Sequence, residues 1–96
     1  MASITTVKDI GYKVLITNED ETPKQVLRCF IKEGQYGKFI SMEKHWVQNV
    51  DGDKLETNWA RWSITLPYDR EGAQKLISHM KELVAQAVET EFEGDE

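Results

Sequence analysis

Apolar and polar positions along this chain alternate with a period of two in three stretches, alternate poorly in a fourth strand-like one, and follow a helical period in a fifth. In the first stretch Tyr12, Val14 and Ile16 share a phase against Lys13, Leu15 and Thr17, which predicts a strand over residues 12–17. The second, residues 26–32, sets Leu27, Cys29 and Ile31 against Val26, Arg28, Phe30 and Lys32. The purely apolar trio is expected to face the core, leaving Arg28, Phe30 and Lys32 on the open face. Phe30 is then either a stacking residue or a packing residue at a sheet edge. The third stretch, residues 38–47, is mixed in both phases: Lys38, Ile40, Met42, Lys44 and Trp46 in one, Phe39, Ser41, Glu43 and His45 in the other. That mixing predicts a bulge or bend that swaps faces midway. In the fourth, residues 59–66, Ala60, Trp62, Ile64 and Leu66 point to the core, with Trp62 structural. Trp59, Arg61, Ser63 and Thr65 lie opposite, and Trp59 beside Arg61 is the best aromatic–cation pair in the chain.

Beyond Pro67 the period changes. Apolar residues at 73, 76, 77, 80, 83, 84, 87 and 88 trace one helical stripe, and Asp69 is placed to cap it. The stripe runs far enough to cover a sheet and also meet a second copy, which predicts a homodimer formed through helix and sheet. Turn chemistry separates the strands: residues 18–24 are polar and interrupted by Pro23. Gly34 to Gly37 forms a G-x-x-G element that, with strands on both sides, is a hairpin turn. Asp51-Gly52 supplies the positive φ of a tight turn. The fold class expected is α+β, a curved four-stranded antiparallel sheet followed by a C-terminal amphipathic helix. Residues 1–11 form an N-terminal arm with at most a short strand, 12–88 the single domain, and 89–96 a disordered acidic tail.

Charge refines this layout. The chain of 96 residues carries a net −5. Residues 24–67 hold seven Lys/Arg against five Asp/Glu, whereas residues 68–96 hold three against eight, so the acidity lies outside the strand region. One cysteine, Cys29, precludes an intrachain disulfide and fits a reducing compartment, cytoplasmic, nucleoid or nuclear, and not a secreted protein. No stretch approaches a membrane span or a signal peptide. Two histidines and one cysteine are too few for a zinc signature, and no Walker loop, dinucleotide fingerprint or nucleophile elbow is present. No enzyme, metal or cofactor is expected.

Within this frame Ile40-Ser41-Met42-Glu43-Lys44-His45-Trp46 resembles the I-D-I-R-E-Y-W strand of the positive cofactor four family of transcriptional coactivators. Arg61-Trp62-Ser63-Ile64-Thr65-Leu66 is similar to that family's K-K-G-I-S-L strand, and a helix follows in both. The family's arginine before the tryptophan is Glu43 here, with Lys44 beside it, and its glycine before I-S-L is Trp62. The resemblance spans roughly residues 26–85 and implies a homodimer that binds single-stranded DNA in a sequence-tolerant way.

The expected function is therefore binding of single-stranded DNA, or RNA, by aromatic stacking and phosphate contacts on a sheet face. Arg28, Phe30, Lys32, Tyr36, Lys38, Lys44, Trp46, Trp59 and Arg61 are the candidate contacts. The acidic tail, with Phe92 among its carboxylates, is a candidate for competing with DNA or recruiting a protein partner. The alternative is a protein–protein interaction module using the same aromatic face.

Overall fold

The computed structural model describes residues 3–93, and side chains as far as residue 90. Four strands, β1 (Thr5–Thr17), β2 (Pro23–Gly34), β3 (Gly37–Asp51) and β4 (Lys54–Pro67), form one antiparallel sheet in chain order, and helix α1 (Arg70–Glu93) follows. This is the expected α+β architecture. The chain divides after Leu66 into two compact units, the sheet and the helical segment. No helix among the described residues is long and apolar enough to cross a membrane.

The strands run longer than alternation alone predicts. β1 takes in residues 5–11, assigned from sequence to the arm. β3 and β4 extend to the Asp51-Gly52 turn through mostly polar residues, 48–51 and 54–58, that leave no hydrophobic period to detect. The turns behave as their residues dictate. Gly34 pairs with Gly37 around Gln35-Tyr36, with Gly37 at φ 110°, and Gly52 adopts φ 62°. Between β1 and β2, the Asn18 N–H donates to the Thr22 carbonyl at 2.8 Å, and the Asp20 carboxylate accepts from the Thr22 backbone and hydroxyl. Those bonds hold the Asp20 carboxyl below its ordinary range.

The change of face expected within β3 is not there. β2 and β3 pair without interruption from Gln25–Trp46 to Gly34–Gly37. Irregularities fall on β1 instead, with register shifts against β2 at four places, one of them at Gly11 with φ 141°. On β4, Arg61 holds φ 58°, a left-handed conformation uncommon for a side-chain-bearing residue. The mixed phases of β3 have another cause. Continuous register keeps Phe39, Ser41, Glu43 and His45 on one face with Val26, Arg28, Phe30 and Lys32, and Ser41, Glu43 and His45 are all buried. The mixed pattern reflects a buried polar phase and not a change of face.

In the helical segment Asp69 caps α1 as expected. Its carboxylate accepts the Gly72 N–H at 2.8 Å, and its carbonyl accepts from Ala73 at 2.9 Å. The helix continues through Glu89–Glu93, residues that the sequence assigns to a disordered tail; residues 94–96 lie outside the described region. Along the stripe Leu83, Val84 and Val88 are exposed.

Candidate functional site

The sheet has one concave face. Arg28 on β2 reaches over β3 to donate to the Thr57 hydroxyl of β4 at 2.9 Å. One cavity is lined by both Asp9 and Tyr12 of β1 and Leu55 and Glu56 of β4. In a flat sheet these edge strands would stand three spacings, about 14 Å, apart, so the sheet must curl to bring them to a common cavity. The side chains of Val26, Arg28, Phe30, Lys32, Phe39, Ser41, Glu43 and His45 line the inside of that curl.

A hydrogen-bonded network crosses the concave floor. Arg28 donates to Asp9 at 2.6 Å and to Thr57. The Glu43 carboxylate accepts from Lys32 at 2.5 Å and from Ser41 at 2.7 Å through Oε2, and pairs with His45 Nε2 at 3.0 Å through Oε1. With the His45 proton on Nε2, its Nδ1 accepts from the Thr57 hydroxyl at 3.0 Å, and that hydroxyl in turn accepts from Arg28, so every member is satisfied. Burial alone would push the Glu43 carboxyl up. The hydrogen bonds from Lys32, His45 and Ser41, with the charge of Lys32, outweigh it and bring the group down to about 2. Phe30 lies beneath this network, with the Arg28 guanidinium 4.6 Å and the Lys32 ammonium 5.3 Å from its ring centre.

At one end of the floor the network opens into a groove. A cavity of about 430 Å³ is lined by Lys32, Ser41 and Glu43 below and by Ile4, Phe39, Trp59, Ser63 and Thr65 at its walls. It adjoins a second of about 380 Å³, which shares Ile4, Phe39 and Thr65 and adds the 34–38 hairpin tip with Tyr36 and Lys38. Tyr36 is 95% exposed and Trp59 53% exposed, and with the half-buried Phe39, which lines both cavities, they form one aromatic path. Among the described residues no group of three or more His, Cys, Asp or Glu side chains could hold a metal ion.

The predicted contact residues divide between the two faces. Arg28, Phe30, Lys32 and Trp59 lie on the concave side, and Tyr36 stands at its mouth. Phe30, however, is only 8% exposed and covered by two cations, so it packs and cannot stack on a ligand. Arg28 and Lys32 are already ion-paired, to Asp9 and Glu43. Lys44 and Trp46 share the phase of Leu27, Cys29 and Met42 on the convex face. There the Lys44 ammonium sits 4.8 Å from the Trp62 ring centre. Lys38 belongs to that phase by register, yet lies at the hairpin end where the second cavity opens. Arg61 occupies the left-handed kink of β4, and Trp59 Nε1 donates across it to the Trp62 carbonyl at 3.3 Å.

Sequence reasoning missed Phe39, Glu43, His45 and Thr57. The available signal was that Phe39 shares its phase with three polar residues, which continuous pairing carries to the face of Arg28 and Lys32. On the convex face, burial and then the Asp9 charge push the Cys29 thiol up, away from the reactive thiolate form. No protein-family model, curated protein or solved structure matches the chain.

Proposed function

We propose that this chain binds single-stranded nucleic acid, DNA in preference to RNA, without strong sequence preference. Unpaired bases enter the concave groove and stack on Trp59, Phe39 and Tyr36. The observation that carries this reading is the groove itself, with the exposed Trp59 and Tyr36 rings and the half-buried Phe39 ring above a hydrogen-bonded polar floor. Every base has a π-face, so such a path is sequence-tolerant, with roughly 1–3 kcal/mol per stacked base. The likeness of residues 40–46 and 61–66 to the positive cofactor four strands supports the same reading. It extends it to a homodimer, for which the exposed Leu83, Val84 and Val88 of α1 offer an apolar surface. In this proposal the chain is a binding protein of the cytoplasm or nucleoid, without catalytic activity, serving transcription or replication, and its acidic C-terminus takes a protein partner.

The test is tryptophan fluorescence during titration with a mixed-sequence single-stranded oligonucleotide, repeated with duplex. Saturable quenching by the single strand and little by the duplex supports the proposal, whereas a flat titration at low salt overturns it. One observation favours a protein-interaction module instead: Arg28 and Lys32 are neutralised internally, which lowers the positive potential a phosphate chain would meet. Binding of a polypeptide by the same aromatic groove would depend little on salt, whereas phosphate contacts lose affinity as salt rises.

A further inference from the structure

The Lys32–Glu43 pair lies on the groove floor with capacity left over. The ammonium has three donors and directs one to Glu43 Oε2; that oxygen accepts from Ser41 as well, whereas Oε1 accepts only from His45. The pair therefore offers a hydrogen-bond donor beside an acceptor, at the bottom of a cavity whose walls include Trp59 and Phe39. Resting on the nucleic-acid reading above, we infer that Lys32 and Glu43 contact the base-pairing edge of a base stacked in this groove. Each natural base carries an acceptor next to a donor on that edge: O6 and N1–H in guanine, O4 and N3–H in thymine, N1 and the N6 amine in adenine, N3 and the N4 amine in cytosine. Turning the ring over exchanges the two positions. One donor–acceptor pair thus serves all four bases, and the site is tolerant of sequence while still hydrogen-bonded to the base.

Two consequences follow. A base already paired in a duplex has no free edge to offer, so selectivity for single strands arises at the floor as well as from the shape of the groove. Phosphates, moreover, are directed outward, because an ammonium already bonded to a carboxylate is a poor phosphate site. Salt dependence is then shallower than a phosphate-led interface would give.

The experiment uses the full chain and 11-mers in which every base is thymine, every base is N3-methylthymine, or every base is absent. Methylation at N3 removes the edge donor and blocks its approach but leaves a stackable ring. The expected result is that N3-methylthymine weakens binding roughly tenfold relative to thymine, approaching the abasic strand. If N3-methylthymine binds as thymine does while the abasic strand is weak, stacking stands and the edge contact is overturned. If none of the three binds, the nucleic-acid reading itself fails, and this inference with it.

Discussion

The two faces of the sheet divide the labour in a way the alternation of residues conceals. The convex face carries the more apolar phase, Leu27, Cys29, Ile31, Ile40 and Met42, yet these side chains are only half-buried. The concave face carries Ser41, Glu43 and His45, all buried, along with Phe30 and Val26. Curvature accounts for the difference. Side chains on the inside of a curl converge and exclude water from one another, while those outside splay apart. Polar groups tolerate that burial only when each finds a partner, and here a chain of bonds runs from Asp9 through Arg28, Thr57 and His45 to Glu43, Ser41 and Lys32.

Removing what the concave face buries has the largest expected effect. Phe30→Ala should cost about 3–5 kcal/mol in urea unfolding, the range for a core aromatic, whereas Trp46→Ala, 41% exposed on the convex side, should cost much less. Glu43→Ala should come next, at roughly 3 kcal/mol, because it leaves Lys32, Ser41 and His45 without their acceptor. Acid provides a graded form of the same test. The folded Glu43 carboxyl titrates near 2, below its ordinary 4.5. Its contribution is therefore complete above about pH 4.5 and is lost as pH falls toward 2, and Glu43→Gln should flatten that part of the stability–pH curve. Lys44→Ala, which removes a cation from the exposed Trp62 ring, is the smallest effect, under about 1 kcal/mol.

Much of the fold was legible from local chemistry. Gly34, Gly37 and Gly52 mark their turns, Asp69 marks the helix start, and the spacing from Ala73 to Val88 marks the helix, because each is decided within a few residues. The site was legible only in part. Trp59 and Tyr36 are at the groove, whereas Lys44 and Trp46 are on the other side of the sheet, since proximity in sequence does not fix a face. The rule that apolar residues mark the core failed for β3. Nothing local to Ser41, Glu43 and His45 shows that Lys32, eleven residues from Glu43, and Thr57, twelve from His45, will supply their partners.

Oligonucleotide affinity of Trp59→Ala beside Trp46→Ala decides whether the concave groove or the convex tryptophan surface receives the ligand. The expected result is that Trp59→Ala weakens binding by about 1–3 kcal/mol while Trp46→Ala leaves it nearly unchanged. Loss of affinity in Trp46→Ala with Trp59→Ala unaffected would contradict it and place the interface on the convex face.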